Sequence, residues 1–487
     1  MANSIYWHDY ETFGSDPRRD RASQFAGIRT DADLNEVGEP LVIYCRPAPD
    51  YLPHPEACLI TGITPQLAQQ RGVAEAEFIA QIHQQLSQPG TCAAGYNSLR
   101  FDDEVTRQLL YRNFYDPYER EWKNGNSRWD IIDMMRLCSA VRPDGIQWPR
   151  RDDGRASFRL EDLSAANGIE HTAAHDALSD VRATIALARL VKARQPRLYD
   201  YIFQLRNKQR VQQLIDLQGQ KPLLHVSALY PEHHGRVALA MPLIGHPEEK
   251  NGVLFYDLRT DPAPWLDLGV DALKEALFKP ASERQEGEER LPVNVVHSNR
   301  CPALAATTVL DDAHYARFAI DLPSARRHWQ LLRQRTDFVQ RLSEAFSRRE
   351  GWPEVTDPDF MLYAGGFFNS ADKLLMQQLR SMPASELASA HQQLAAQFSD
   401  PRGPDMVFRY VARNYPDLLN DQDQQRWVQF CRTRLLDDSE QTGHLTLAGF
   451  EQAIFEAQGR VDSERDHGVL EDLMGWGASV QEWLAQP

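Results

Sequence analysis

The chain has 487 residues, 42% of them hydrophobic and six of them cysteine, which is length enough for two or three domains with cores of their own. No Cys-x-x-Cys pair, no apolar run of about 18 residues and no charged start leading into an apolar core argue against a zinc site, a membrane span and a secretion signal, so a cytoplasmic protein in a reducing compartment is expected. A net charge of −16 excludes general attraction to polyanions, and any nucleic-acid binding must rest on local basic patches.

The first stretch, Ile5 to Phe13 in SIYWHDYETF, predicts a strand, yet it carries Asp9 and Glu11 where a core would prefer neither. Residues two apart in a strand share a face, so the two carboxylates project together and repel unless a cation or a proton lies between them. A hard divalent cation with oxygen ligands, magnesium or manganese, suits that gap. The alternative is an edge strand whose acidic face lies in water.

Short strands at FAGIRTD and PLVIYCRP complete a predicted antiparallel meander. TCAAGYNSL then predicts a central strand ending at Asn97, and FDDEVTRQLLYRNF an amphipathic helix with Val105, Leu109, Leu110 and Phe114 inward. Asp102 and Asp103 stand at its start, where the helix dipole alone favours acids. Spacing does not say which of the two faces a cation. Basic stripes follow at Arg100, Arg107 and Arg112, at Arg128, Arg136, Arg142, Arg150, Arg151 and Arg155, and at Arg206, Lys208 and Arg210. Phe114, Tyr115, Tyr118, Trp122 and Trp129 are interleaved with them, either as platforms for unpaired bases or as core.

From Asp176, DALSDVRATIALARLVKA places Leu178, Val181, Ile185, Ala188 and Val191 at helical spacing, with Asp176 as N-cap and Arg189 and Lys192 in the last turns. Asp180 falls one turn into this helix and His175 just before it, so both can point into one pocket. Such a histidine can take a proton from a metal-bound water, and such an aspartate can add an oxygen ligand. His171, four residues earlier, has a similar claim.

KARQPRLYD places a proline after this long helix and sets a boundary near residue 196. Beyond it are a leading helix through FQLRNKQRVQQLIDL, strand-like runs at PLLHVSAL, RVALAMPLIG and GVLFYDL, a hairpin signal at Asn251-Gly252, and one more strand in PVNVVHSNRCPAL. After residue 350 the pattern is helical in ADKLLMQQLRSM, ASELASAHQQLAAQF, PDMVFRYVARNY, QQRWVQFCRTRLL and LTLAGFEQAIFEAQ. Arg409, Arg413, Arg426, Arg432 and Arg434 are candidates there to face nucleic acid, against the default of solvated helix faces.

The order Asp-x-Glu, then Phe-Asp in NSLRFD, then His with Asp five residues on resembles the DEDDh exonuclease superfamily. Within it, HDYETFG, QFAGIRTD, LITGITPQ, GYNSLRFDDEVTRQ, NSRWDIIDMMR, SFRLEDLSAANGIEH and RQPRLYDYIF together resemble the bacterial exonuclease I family. The resemblance implies an α/β protein. A ribonuclease H-like mixed-sheet exonuclease domain over 1–196 would be followed by an SH3-like β-containing domain with attached helices over 197–350 and a helical C-terminal domain over 351–487. LYAGGFFNSADK departs from the family pattern by an additional glycine, at Gly365 or Gly366.

The same resemblance implies processive 3′-to-5′ removal of 5′-mononucleotides from single-stranded DNA, in DNA repair and recombination. It makes Asp9, Glu11 and Asp180 magnesium ligands, gives Asp102 a role at a second ion, and makes His175 the general base. Two ions, Mg²⁺ or in its stead Mn²⁺, about 3.5–4 Å apart would clamp the scissile phosphate. Glu11 and Arg159 would contact substrate, the arginine fork suiting a phosphate. The acidic C-terminal tail of single-strand DNA-binding protein is the implied partner, with Arg142 and Lys221 as candidate contacts. A monomer is expected, because one chain has enough domains to form its own channel. Two alternatives are an RNA-directed 3′ exonuclease on the same fold and a non-catalytic single-strand-binding scaffold. The two extra domains count against the first, and the filled catalytic positions against the second.

Overall fold

The computed structural model describes residues 4–171, 175–347, 355–437 and 444–486. Its first sheet starts with an antiparallel meander of β1 (Ser4–Thr12), β2 (Ala22–Thr30) and β3 (Leu41–Tyr44), followed by α1 (Pro55–Thr61), α2 (Pro65–Arg71) and α3 (Glu75–Leu86). β4 (Thr91–Gly95) pairs parallel to β1, and α4 (Asp102–Arg112) leads on to β5 (Ser127–Asp130). The order is β3-β2-β1-β4-β5. β1 is thus a central strand, which rules out the alternative of an edge strand with its acidic face in water.

Alternation along β1 sorts its side chains. Tyr6 and Tyr10 on one face join Phe25, Phe78, Ile82, Leu109 and Leu110 in a single core, so α3 and α4 cover that face. The other face carries the buried Ile5 and Trp7 and then Asp9 and Glu11. Close contact between β1 and the end of β4 depends on Gly95, where a Cβ would stand 2.9 Å from the His8 carbonyl oxygen. The chain after β4 therefore turns into α4 directly beside the acidic end of β1.

After β5 come α5 (Ile132–Val141), α6 (Leu160–Ala166) and α7 (Ala177–Arg194). The chain forms two compact units, one of residues 1–127, 171–182 and 353–487, the other of residues 128–170 and 183–352.

In the second unit the expected single leading helix is two, α8 (Pro196–Gln204) and α9 (Lys208–Leu214), because Asn207 caps the second by accepting a hydrogen bond from the Gln209 amide. β6 (Leu223–Val226), β7 (Val237–Gly245) and β8 (Gly252–Asp257) follow as expected. Asn251-Gly252 closes a longer loop rather than a two-residue turn. After α10 (Val270–Phe278), the one strand expected in PVNVVHSNRCPAL is a pair, β9 (Val293–His297) and β10 (Ala303–Ala306). These form an antiparallel sheet ordered β10-β6-β7-β8-β9, and α11 (Asp312–Arg317), α12 (Leu322–Gln334) and α13 (Thr336–Ser347) complete the unit.

The C-terminal helices belong to the first unit: α14 (Ser370–Ser381), α15 (Ala384–Ala395), α16 (Gly403–Asn414), α17 (Asp421–Leu436), α18 (Leu447–Gln458) and α19 (Glu464–Ala485). The last of them lies outside the set expected from the sequence. Val407, Val411, Trp427, Phe450 and Leu473 from these helices share one core with Phe13, Tyr51 and Phe114.

Three arginines that were candidates for nucleic acid are turned inward here. Arg413 bonds Asp50 at 2.8 Å and also Asp359, Arg409 bonds Asp359 at 3.1 Å and also Asp357, and Arg434 bonds Asp357 at 2.9 Å. Arg426 pairs with Asp405, and Arg432 donates to the Leu484 carbonyl. The sequence shows the arginines but not the acids from distant segments that meet them.

Burial alone would raise the pKa of Asp50, but Arg413 and then Arg21 hold it far below the carboxylate range. A carboxyl depressed in this way stabilises the fold above its unfolded pKa and loses that contribution as pH falls. Arg413→Met, which removes the charge at similar volume, is expected to lower the unfolding free energy by about 3–5 kcal/mol at neutral pH. In urea titrations the deficit should shrink toward acid pH, where the abandoned carboxyls take up protons.

Candidate active site

Three elements of the first unit deliver acids to one place. β1 supplies Asp9 and Glu11 from one face, with Glu11 paired in register to Gln24 of β2. α4 supplies Asp102, whose Oδ1 accepts the Tyr10 amide at 3.0 Å, between the two acids of β1. Thr106 donates to the Asp102 carbonyl at 2.8 Å and lies 3.1 Å from the Tyr10 hydroxyl, so helix and strand are tied at two levels. Asp103 is turned away and pairs with the buried Arg120 at 2.6 Å. Of the two adjacent acids, it is Asp102 that lies beside Asp9 and Glu11.

α7 supplies Asp180 in its first turn. Asp176 caps the helix as expected, accepting the Ser179 amide at 3.2 Å, and Gln24 of β2 reinforces the cap by accepting the Ala177 amide at 3.3 Å. His175, just ahead, has a φ of +66°. That left-handed conformation is uncommon for a residue with a side chain and recurs at functional sites. Ligand atoms of Glu11, His175 and Asp180 lie within 4.8 Å of one another. His171 Nε2 is 2.5 Å from Asp180 Oδ1. Composition gives the two histidines similar claims, and the fold separates them: His175 faces the acids of β1, whereas His171 contacts Asp180 alone among the acids named here.

Electrostatics mark the cluster as unfinished. Burial, then the charges of Asp102, Glu11, Asp180 and Asp176, push the Asp9 carboxyl well above its ordinary range. Glu11 is pushed up to about 9 by burial, then by Asp180, Asp102 and Asp176. The strongest charged neighbours of both acids are thus all carboxylates. An oxygen-rich donor set with one imidazole and, among the described residues, no cationic side chain at its centre fits a hard divalent cation.

The remaining expected contacts lie in the second unit. Arg159 precedes α6 with its side chain 62% exposed, 3.5 Å from Glu161. Arg142 ends α5 and is exposed, and Lys221 is exposed near Asp216. Among the interleaved aromatics, Phe114 and Trp129 are core and Trp122 is exposed. Arg112 is held by Glu75 and Arg107 by Glu121, which takes both from the basic stripe. Gln24 and the contact made by His171 were not legible in the sequence, since neither obeys a local period.

Residues 6–188 match the family described as Exonuclease, 206–348 the Exonuclease I SH3-like domain, and 356–480 the Exonuclease I C-terminal domain. Exodeoxyribonuclease I of Escherichia coli K12 is 45% identical over 435 residues, covering 88% of this chain and 89% of that protein. The chain belongs to the exonuclease I family. Among solved structures, exonuclease I from Methylocaldum szegediense is 48% identical with a TM-score of 0.92, covering 98% of this chain and 99% of its own. E. coli exonuclease I in complex with a 5cy-dT13 oligonucleotide is 42% identical with a TM-score of 0.91, covering 99% of this chain and all of its own. A zinc-bound E. coli exonuclease I complex with single-stranded DNA and a structure of SSB/exonuclease I with the inhibitor CFAM are similar as well. Exonuclease I members are enzymes, and this chain carries the family's exonuclease, SH3-like and C-terminal domains in the expected order. Among the described residues, no helix is long and apolar enough to cross a membrane.

A carboxyl whose pKa rises on folding holds extra protons in the folded state. The stability tied to it is present below the unfolded pKa and is lost as pH rises through the folded value. For Glu11 that window runs from 4.5 up to about 9. Glu11→Gln, which mimics the protonated form, should therefore melt about 2–4 °C above the parent in EDTA near the top of that window and almost level with it at the bottom. Differential scanning fluorimetry across pH reads this directly.

Proposed function

We propose that the chain removes mononucleotides one at a time from the 3′ end of single-stranded DNA by magnesium-dependent hydrolysis. The observation that carries this reading is the approach of ligand atoms of Glu11, His175 and Asp180 to within 4.8 Å of one another, with the buried Asp102 and the half-buried Asp9 beside them. Family membership supports it, together with the single-stranded DNA bound in solved relatives.

When bound, two divalent ions would polarise the scissile phosphate and lower the pKa of the attacking water. Asp9, Glu11 and Asp180 would hold them, with Asp102 serving the second; manganese could replace magnesium. His175 accepts the proton of the attacking water from its place beside Glu11 and Asp180. Its backbone conformation and the Asp176 cap fix where the imidazole starts. Asp102 is held against β1 by the Tyr10 amide, which donates to its Oδ1. Glu11 also touches the substrate, and Arg159, exposed and without a hydrogen bond from its guanidinium among the described residues, offers a fork to a substrate phosphate. On the same family grounds we assign Arg142 and Lys221 to the acidic tail of single-strand DNA-binding protein, and the chain to repair and recombination in the cytoplasm, as a monomer. The domain limits follow those read from the sequence, near residues 196 and 350.

Digestion of a single-stranded DNA oligonucleotide labelled in turn at each end tests the reading. Mononucleotides should leave the 3′ end with magnesium and not with EDTA, and Asp180→Ala should slow release by about 10³-fold or more. An RNA of equal length, cut while the DNA survives, would move the substrate assignment to RNA. If both survive, the binding-scaffold reading takes over. For His175→Ala, single-turnover rates should fall by about 10²–10⁴-fold while manganese binding persists, as expected for a base and not for an indispensable ligand.

A further inference from the structure

Asp180 stands one turn into α7 with rotamers open to it, and whatever holds its carboxylate determines which oxygen reaches Glu11 and His175. His171 makes such a contact. Its Nε2 is 2.5 Å from Asp180 Oδ1, and the two side chains are only 6% and 16% exposed. Its Nε2 is not one of the ligand atoms of Glu11, His175 and Asp180 that lie within 4.8 Å of one another, so its contact with the acids runs through Asp180. With its proton on Nε2, His171 donates to one carboxylate oxygen and leaves the other to turn toward Glu11. Outer partners of this kind fix the orientation of a ligating carboxylate and raise metal affinity.

We infer that His171 is a positioning residue that orients Asp180 for a divalent cation and does not itself touch substrate or metal. The inference rests on the proposed role of Asp180 as a ligand.

Manganese binding to the full chain, followed by electron paramagnetic resonance without DNA, tests it separately from turnover. His171→Leu, which keeps bulk and loses the donor, should weaken manganese binding by about 10–100-fold. His171→Gln, whose amide can donate from a similar position, should stay within about threefold of the parent, and free imidazole should restore binding to His171→Ala. In activity assays the magnesium needed for half-maximal rate should rise by the same factor in His171→Leu, with the rate at saturating magnesium nearly kept.

Asp180→Asn is the companion variant. If it weakens manganese binding while His171→Leu and His171→Ala bind like the parent, the positioning role is overturned and Asp180 keeps its own. Unchanged binding in Asp180→Asn would overturn the ligand reading of Asp180 and the inference with it. A leucine variant that does not fold leaves the glutamine and alanine variants to decide, and failure of imidazole to restore the alanine variant counts against a donor role.

Discussion

Like charges gathered out of water dominate the first unit of this exonuclease. Asp9, Glu11, Asp102 and Asp180 come from a central strand and the first turns of two helices, and after burial it is the neighbouring carboxylates, Asp102 and Asp180 among them, that push the Asp9 and Glu11 carboxyls up. The N-terminal turns of α4 and α7 present partial positive charge to the cluster, which softens the repulsion without cancelling it. The rest of the scaffold can be read as what keeps such an arrangement folded: a strand buried on both faces, a glycine that lets β4 close on it, the Tyr10 amide donating to Asp102, the Thr106 and Tyr10 hydroxyls in contact, and the Ala177 amide donating to Gln24.

The same unit contains the opposite solution to the same problem. Asp50 and Asp359 are almost wholly buried, yet their pKa values are driven down, because Arg413 reaches both and Arg409 and Arg21 stand close by. Asp103, adjacent to Asp102, is likewise compensated by Arg120. Both groups of acids are buried or half-buried, and the presence of a guanidinium separates them. Acids that carry their own cation in the fold join the C-terminal helices to the sheet-bearing segment, whereas acids left to one another form a site that an outside cation can complete.

Short-range regularities were legible in the chain itself. The two-residue period of a strand places Asp9 and Glu11 on one face, the helical period places Asp180 one turn beyond His175, and Asp176 is a cap by residue type and position. The meander, the second antiparallel sheet and five of the C-terminal helices follow from the same kind of pattern. A cap at Asn207 breaks one expected helix into two, and α19 lies beyond the helices expected from the pattern.

The sequence by itself determined which side chains share a face and which family the chain resembles, because both are properties of neighbours along the chain. Only the tertiary structure decided that β1 is central, that Asp102 and not Asp103 joins the cluster, that His171 meets Asp180, and that Arg409, Arg413 and Arg434 turn inward to acids far away in sequence. Each of these depends on how a charge is compensated. Compensation is set by distance in space, which the spacing of residues along a chain does not contain.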